Sequence, residues 1–527
     1  QKKCSDQSDT AHSAFIWRSS APRAKSSALD CRNLSKHPQP PMEPHMQHNI
    51  KKIKEILVPY TAEENAELSG GEDTVPPPLP PRRPPPRAAS AEDAPPLPQR
   101  TPQTEAEGRA AMKAYKEAWE KANAEAANRP ITSDNPAGDE EYPVLLTLAS
   151  VSWYVHGHGV LPDVPLYRLE SQPINGGNLN FAWRCGDRDD SSTSVFVKQA
   201  PDFIKCLGAD YKLTNKRAEV EANVLKALRD ISAANAPEVL VYDDYRCAMI
   251  LEDLRDFRLL RDDLLRGVVE ESVASSLGRF CARVYNETRA KPDAYFSDML
   301  GEDDNGAMRA ITRDYVFTKP FQADETNRKI DPESSLGFRV ANARNDTGLL
   351  AAVAKARQAF DGAHDCLSHG DLHAGSVMVD GARTVCIDAE FACRGPAGLD
   401  IAFLIAGYLF AFCAADAHAA DAEAAGIRRV SCGDAVKALW RAYADARDGE
   451  PKMDEVCGFL GCELLRRVLG AASVPDLSEI SDGKARERAE LLVVEIGVGV
   501  LVDAPESAGL LVEFAEGCYG ALALDKY

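Results

Sequence analysis

Acidic residues in one part of the chain have the types and spacing that phosphoryl transfer requires. Asp371 precedes the β-rich run 377–379, and a glycine-containing turn separates that run from a second one, 384–387, which leads into Asp388 and Glu390. Two such runs predict a hairpin, which brings the loop before its first strand close to the end of its second. Converging carboxylates repel one another unless a cation or a shared proton lies between them. One of them could deprotonate an attacking hydroxyl, and the others could hold the magnesium ion that bridges nucleotide phosphates.

A hairpin with solvated acids is the simpler alternative. It does not explain why His369, Gly370 and Asp371 stand together before an apolar strand, or why the second acidic cluster interrupts an apolar run. His369 and His373 could be read as zinc ligands or general bases. We expect neither role, because no third ligand with metal spacing is nearby. We expect His369 to organise the loop by hydrogen bonding instead.

Composition and charge exclude several other functions. The chain has 527 residues, of which 44% are hydrophobic, so it can form two lobes with full-sized cores. Its net charge of −20 argues against a general nucleic-acid binder and against binding to anionic membranes. The apolar runs 401–413 and 491–502 are too short or too interrupted by charge to span a bilayer. The 14 cysteines are scattered singly, and Cys281, Cys386 and Cys413 lie in apolar runs, which is typical of reduced, buried thiols rather than of a zinc site.

Residues 1–140 differ from the rest of the chain. Their proline-rich tracts cannot form a core, so the sequence predicts a disordered arm. Within it, Pro77 and Pro80 followed by Arg82 have the form of a ligand for a polyproline-binding domain, and the alternative is a solvated linker. After the arm we expect a β-rich N-lobe over 141–255 and a helical C-lobe over 256–527.

The first residues bear on where the protein is located. The chain begins with Gln1, which indicates a fragment, a processed form or a translation extended upstream of a start at Met42 or Met46. Residues 1–40 are rich in Ser and basic groups and loosely resemble a transit peptide. We expect a cytoplasmic protein, with organelle targeting as the alternative.

The N-lobe contains the elements of a kinase nucleotide site in the expected order. A Gly-Gly turn at 176–177 would let backbone amides approach phosphates. Lys198 ends a β-rich run. One helix is expected among the β-rich runs of 142–255, around 214–229, and it presents Glu219 and Glu221, either of which could pair with Lys198. The apolar run 248–254 ends in acids and suits the connector whose backbone binds adenine. Together these features predict an α+β fold of the bilobal protein-kinase type, with nucleotide between the lobes.

Eight stretches carry a more specific resemblance. In chain order they are GGNLNF, VKQAPDFIKCLG, LTNKRAEVEA, ILEDL, ITRDYVFTKPF, SHGDLHAGSVMV, IDAEFACRGPAGLDIA and GCELLRRVLGAASVPDL. Over about residues 142–500 the chain therefore resembles the methylthioribose kinases, which are small-molecule kinases of the aminoglycoside-phosphotransferase and choline-kinase type. The HGD motif with the later acidic motif indicates only the superfamily. The motifs HGDLHxGS, FxxxGPxGxDI and GCELLRR are more specific and indicate the methylthioribose kinases.

The resemblance implies that ATP phosphorylates the anomeric 1-hydroxyl of 5-methylthioribose, giving 5-methylthioribose 1-phosphate in methionine salvage. It implies that Asp371 is the catalytic base and a substrate contact. It also implies that Arg466 and Arg467 reach the sugar and the transferring phosphoryl group, where guanidinium groups neutralise developing charge well. Two surface arginines on a helix are the alternative for this pair. The resemblance further implies a homodimer.

The resemblance also implies a set of residues that bind ATP and Mg²⁺. They are Asn178 and Lys198 for the phosphates, Glu252, Asp253 and Leu254 for the connector at adenine, and Asp388, Ala389 and Glu390 for the acidic motif, in which Asp388 and Glu390 hold the metal.

The chain departs from the family pattern at three positions. Ala389 stands where the family usually has Pro, so the backbone geometry that proline imposes is lost. Gly176 replaces a common Asp, which predicts a more mobile loop. Ser376 occupies the position where protein kinases have Asn; because a hydroxyl is a weaker ligand, we expect the two carboxylates to carry most of the metal.

Two alternatives to a methylthioribose kinase remain at this point. One is a related kinase acting on choline, homoserine or an aminoglycoside, although the pair Arg466 and Arg467 would repel a cationic substrate. The other is a non-catalytic fold that acts as a scaffold through the proline-rich arm, although each reactive position carries a competent residue.

Overall fold

The computed structural model describes residues 145–524 except Gly176 and Ala382, so the arm 1–140 and its polyproline motif lie outside the described residues. The strands are β1 (Leu169–Pro173), β2 (Phe181–Asp187), β3 (Ser194–Gln199), β4 (Val239–Asp243), β5 (Ala248–Glu252), β6 (Arg258–Leu259), β7 (Cys366–Ser368), β8 (Val377–Asp380), β9 (Arg383–Cys386) and β10 (Cys393–Gly395). The helices are α1 (Leu148–Gly157), α2 (Arg217–Ile231), α3 (Leu260–Leu265), α4 (Glu271–Thr288), α5 (Asp293–Leu300), α6 (Gly306–Phe317), α7 (Ser335–Asn345), α8 (Thr347–Gly362), α9 (Leu399–Cys413), α10 (Ala415–His418), α11 (Ala422–Ala446), α12 (Met453–Leu469), α13 (Pro475–Ser478), α14 (Gly483–Asp503) and α15 (Ala508–Leu524). Short 3-10 helices occur at Leu166–Arg168, Lys319–Phe321, Ala374–Ser376 and Ala389–Phe391.

The N-lobe is built on an antiparallel sheet in the order β1-β2-β3-β5-β4. Successive side chains of a strand point to opposite faces. On β3, Val195 and Val197 are buried in the apolar cluster that contains Trp153, whereas Phe196 and Lys198 line the cleft between the lobes. The strand pattern thus places the lysine on the face that meets the C-lobe.

Helix α1 corrects the expectation of one helix among β-rich runs between 142 and 255. Its residues 150–155 are all buried, and it packs on β1 and β2. At its start, the Ser150 hydroxyl accepts a hydrogen bond from the Thr147 amide at 2.9 Å. Because the helix is covered on most sides, its sequence has no amphipathic stripe that would distinguish it from a strand. The helix expected around 214–229 is present as α2.

The C-lobe is mainly helical, which confirms the predicted α+β bilobal architecture. Helix α4 presents Val273, Leu277, Phe280 and Val284 at helical spacing, buries them, and packs against α11. Helix α9 is buried along its whole length except at Asp400, and it packs against both α11 and α12. Between residues 145 and 524, leaving aside the two undescribed positions, no helix is long and apolar enough to cross a membrane.

The hairpin predicted around the acidic residues is confirmed. Strands β8 and β9 pair antiparallel with Val377 opposite Cys386, and β6 pairs with the other edge of β8. The amide of Ile387 donates to the carbonyl of Ser376 at 3.0 Å, which extends the pairing towards the loop that carries Asp371. Cys386 and Cys413 are buried as expected, whereas Cys281 is only partly buried.

Gly370, in the loop after β7, lies in the left-handed region with a φ of 83°. A Cβ atom at this position would lie 2.1 Å from the carbonyl oxygen of Phe391. Because this neighbour is backbone, it cannot rotate out of the way. The close approach lets the loop that carries Asp371 pass directly beside the residues that follow Asp388.

We expect Gly370→Ala to lower the free energy of unfolding by more than about 2 kcal/mol, because it adds a backbone clash to the cost of a left-handed residue. Gly381→Ala is the matched control. Gly381 also has a positive φ, of 54°, but has open space around its Cβ position, so this variant should lose only about 1 kcal/mol. Urea denaturation of both variants measures the two losses in free energy of unfolding. Equal losses would show that the close approach of Gly370 to Phe391 does not require a glycine.

Candidate active site

The loop that carries Asp371 is fixed by a carboxylate from the start of α9. Asp400 accepts hydrogen bonds from the backbone amides of His369 at 2.7 Å and Gly370 at 3.1 Å. Burial raises the pKa of Asp400, although these amides and His369 favour its ionised form. The carboxylate therefore holds the loop through two backbone groups that do not depend on side-chain rotation.

His369 joins this loop to the end of β9, as expected from the sequence. Its Nε2 lies 2.9 Å from the carbonyl oxygen of Ile387 and must donate, because a carbonyl only accepts. Its Nδ1 then accepts from the Asp371 amide at 3.4 Å. These bonds hold Asp371 beside the segment that leads into Asp388.

Cationic and polar groups surround the carboxylate of Asp371. His373 Nε2 lies 3.5 Å from Oδ2, and Arg466 Nη2 lies 3.5 Å from Oδ1. The Gly375 amide donates to His373 Nδ1 at 2.9 Å, so in the neutral ring Nε2 carries the proton that faces the carboxylate. Burial opposes ionisation, but His373, Arg466 and Arg467 outweigh it and hold the pKa of Asp371 well below its usual range.

Glu463 positions both arginines of α12. It accepts from the Nε atoms of Arg466 and of Arg467, the latter at 2.7 Å, and its side chain is only 1% exposed. Arg466 also lies over the ring of Phe403 on α9, at 5.5 Å from the centroid. With their Nε atoms bound to Glu463, the guanidinium groups form a fixed pair, and Arg466 reaches Asp371 rather than solvent.

Lys198 connects the N-lobe with the acidic motif. Its Nζ lies 2.7 Å from Glu221 on α2 and 2.7 Å from Asp388 Oδ1. Glu221 is therefore the partner, and of the two glutamates expected for this role Glu219 is not the one. Burial opposes the charge on Lys198, but Asp388 and Glu221 outweigh it and raise its pKa. Burial raises the pKa of Glu221 to about 7.

The acidic motif places its two carboxylates in different surroundings. Asp388 adopts a left-handed conformation with a φ of 65°, and its side chain is 48% exposed. Ala389 is fully buried in the 3-10 turn that follows. Glu390 points away from solvent and is bound by Asn180 Nδ2 at 2.9 Å and by Arg217 Nε at 2.9 Å.

The connector Glu252–Leu254 uses its side chains to hold the N-lobe together. Asp253 accepts from Arg184 Nε at 2.6 Å and from Ser194 Oγ at 2.6 Å. Glu252 lies at the edge of the cleft, 3.5 Å from Arg383 on β9. The Asp253 carboxylate is already hydrogen bonded. The groups that the connector leaves for contact with an adenine ring are therefore mainly its backbone groups and the apolar side chain of Leu254.

These residues meet in a cleft of about 590 Å³ between the lobes. The predicted site residues in its lining are Asn178, Lys198, Glu252, Asp253, Leu254, Asp371, Asp388 and Glu390. Arg466 and Arg467 do not line the cleft, and Arg466 contacts the lining residue Asp371 at 3.5 Å. The cleft thus brings together the groups expected to bind a nucleotide, with the arginine pair next to Asp371.

The oxygen donors in the cleft suit magnesium. Asp388 offers a half-exposed carboxylate beside Ser376, and both residues line the cleft. Carboxylate and hydroxyl oxygens are the ligands that Mg²⁺ prefers. Glu390 also lines the cleft, but each of its carboxylate oxygens already accepts a hydrogen bond.

Sequence reasoning missed four residues that build this site: Asn180, Arg217, Asp400 and Glu463. All four lie within the stretches that carry the family resemblance, and Asn180 belongs to the stretch that contains the glycine turn. The type of side chain at these positions does not indicate which residue each one binds. In the case of Glu463, spacing was a usable signal, because it precedes the two arginines by three and four residues on one helix.

The chain matches the model of the phosphotransferase enzyme family over residues 170–446. It is 31% identical over 374 residues to a methylthioribose kinase of Pectobacterium atrosepticum, a match that covers 65% of this chain and 90% of the relative. A methylthioribose kinase of Klebsiella pneumoniae is 30% identical over 366 residues, covering 64% and 90%. A solved choline/ethanolamine kinase family protein of Mesorhizobium loti aligns with a TM-score of 0.36 and 15% identity, over 69% of this chain and 99% of that one.

The family match spans both the sheet of the N-lobe and the catalytic loop, hairpin and acidic motif of the C-lobe. The curated relatives are matched over nine-tenths of their own length. This chain therefore belongs to the phosphotransferase enzyme family, as a small-molecule kinase related to the methylthioribose kinases.

Proposed function

We propose that this enzyme transfers the γ-phosphoryl group of ATP to the anomeric 1-hydroxyl of 5-methylthioribose, as a step of methionine salvage. The observation that carries the proposal is the contact of Arg466 with Asp371, 3.5 Å long, with Arg467 held beside it by Glu463. A pair of fixed guanidinium groups next to the base favours a neutral sugar that acquires negative charge, and it disfavours a cationic alcohol. The names of the relatives point to the same substrate.

In this proposal Asp371 binds the 1-hydroxyl and takes its proton. Its depressed pKa makes it a weak base that is ionised throughout the physiological range. That suits a loose phosphoryl-transfer transition state, in which the hydroxyl needs orientation more than early deprotonation. His373 and Arg466 hold the carboxylate in place while the proton moves onto it.

Lys198 and Asn178 bind the phosphates of ATP, and the connector Glu252–Leu254 receives the adenine. Asp388 and Glu390 would hold magnesium, with Ser376 in the lining of the same cleft, and Ala389 keeps the turn of the acidic motif buried. When bound, this ion neutralises charge on the β- and γ-phosphates. Arg466 and Arg467, next to Asp371, neutralise charge that develops on the transferring group. A cytoplasmic location, expected from the cysteine pattern, and a homodimer, implied by the resemblance, remain predictions.

A substrate panel tests the proposal directly. With the full chain, ATP and Mg²⁺, we expect the highest kcat/KM for 5-methylthioribose, and little or no phosphorylation of ribose, choline or kanamycin. ADP release measured against a no-acceptor control gives the rates. Turnover of choline without turnover of 5-methylthioribose would overturn the proposal and favour a kinase for cationic alcohols.

Replacing the base should separate catalysis from nucleotide binding. We expect Asp371→Asn to lower kcat by about 10² to 10⁴, because the amide cannot accept the proton, while the affinity for ATP stays within about twofold. Asp380→Asn, at the exposed end of the same hairpin, is the matched control and should retain normal kcat. Normal turnover in Asp371→Asn would show that this residue is not the base.

The arginine pair should act on turnover rather than on folding. Arg467→Lys keeps the charge next to Glu463 but loses the planar fork, so we expect kcat to fall by about 10- to 100-fold with a melting temperature close to that of the parent. Arg441→Lys, on the exposed side of α11, should change neither quantity. If kcat of Arg467→Lys equals that of the control, Arg467 has no part in the transfer.

A further inference from the structure

Arg217, at the first residue of α2, is the largest fully buried side chain and is 0% exposed. It donates to Glu390 Oε2 in the acidic motif and to Asn180 Oδ1 at 3.0 Å. Asn180 in turn donates to Glu390 Oε1 at 2.9 Å. The three side chains therefore form a closed triangle, in which each pair is hydrogen bonded.

The triangle also reaches the backbone of the glycine-rich turn. Arg217 Nη2 donates to the carbonyl oxygen of Leu179 at 3.2 Å, next to the predicted phosphate-binding residue Asn178. Its Nη1 donates to the carbonyl oxygen of Pro201 at 2.8 Å, in the loop after β3. One guanidinium thus links the glycine-rich turn, the β3–α2 loop and the acidic motif.

Glu390 is held from the C-lobe side as well. Asn305, which precedes α6, donates through Nδ2 to the carbonyl oxygens of Glu390 and Ala392, both at 2.9 Å. The backbone of Glu390 is therefore anchored to the C-lobe, while its side chain is bound by residues of the N-lobe. This makes Glu390 a rigid attachment point between the lobes.

Two of the ion pairs between the lobes involve the acidic motif, and they differ in their surroundings. The pair of Lys198 with Asp388 lies in the cleft, and the Asp388 side chain is 48% exposed. Both of these groups are needed for phosphates and metal, so the nucleotide must compete with this pair. The pair of Arg217 with Glu390 is 0% and 7% exposed, and each Glu390 oxygen accepts one hydrogen bond, from Arg217 or from Asn180. It can persist when the cleft fills.

We propose that Asn180, Arg217 and Glu390 form a latch that holds the glycine-rich turn against the acidic motif, and that this latch sets the affinity for the nucleotide independently of metal binding by the motif. The inference rests on the proposed kinase function, but it concerns nucleotide binding and is independent of the acceptor. Arg217 and Asn180 are positioning residues in this scheme.

Nucleotide affinity without metal is the decisive measurement. Titration calorimetry of the full chain with ADP in EDTA should show that Asn180→Ala and Arg217→Lys each weaken binding by about tenfold, because either change frees the turn from the motif. The double variant should be no weaker than the worse single variant, since both remove the same latch. Arg279→Lys, at an exposed position on α4, is the control and should bind like the parent.

Magnesium dependence of the kinase reaction separates the latch from a ligand role. Asn180→Ala should raise the KM for ATP with kcat within about threefold of the parent, and its half-saturating Mg²⁺ concentration should stay unchanged. Asp388→Asn, which removes a proposed metal ligand, should instead raise the half-saturating Mg²⁺ concentration strongly.

Three results would overturn the latch. They are unchanged ADP affinity in Asn180→Ala, additive losses in the double variant, and a Glu390→Gln enzyme that needs far more Mg²⁺ while binding metal-free ADP normally. Asn180→Ala leaves the Arg217–Glu390 ion pair in place, so we expect this variant to fold. It therefore tests the latch even if the variants of the charged residues do not fold. Failure of 5-methylthioribose as a substrate would leave these binding results intact, so the two proposals fail separately.

Discussion

Charge compensation between carboxylates and cations is the constraint on which the site depends. Asp371 faces Arg466, Asp388 faces Lys198, and Glu390 faces Arg217. Removing one partner of a buried pair leaves an uncompensated charge and costs about 3–5 kcal/mol. A chain with a net charge of −20 can thus concentrate acids at one cleft and still bind an anionic nucleotide, because each acid has a local cation.

The cations are themselves positioned by a second set of acids. Glu463 binds both arginines of α12, and Glu221 binds Lys198. Both glutamates are almost fully buried, so solvent screens these pairs very little. The consequence is a preorganised electrostatic arrangement, which lowers the cost of reorganisation when charge moves during phosphoryl transfer.

Sequence periodicity and motif order predicted the lobes, the hairpin and the position of the catalytic loop. The hairpin was predictable because its turn and its paired β-rich runs are local signals, as the register of Val377 with Cys386 shows. Helix α1 was missed because a helix covered on most sides has no polar stripe. The choice between Glu219 and Glu221 could not be made from spacing, since it depends on the rotation of α2 about its own axis when it docks on the sheet.

The sequence by itself determined which reactive groups are present and in what order they follow along the chain. It identified Asp371, Asp388, Lys198 and the arginine pair because those groups belong to local motifs. Only the tertiary structure decided that Arg217 meets Glu390 and that Asp400 binds the loop before Asp371. A contact such as the one between Asn180 and Glu390 joins residues from two lobes. The geometry of this contact depends on how the lobes pack, so it cannot be predicted from the periodicity of either segment.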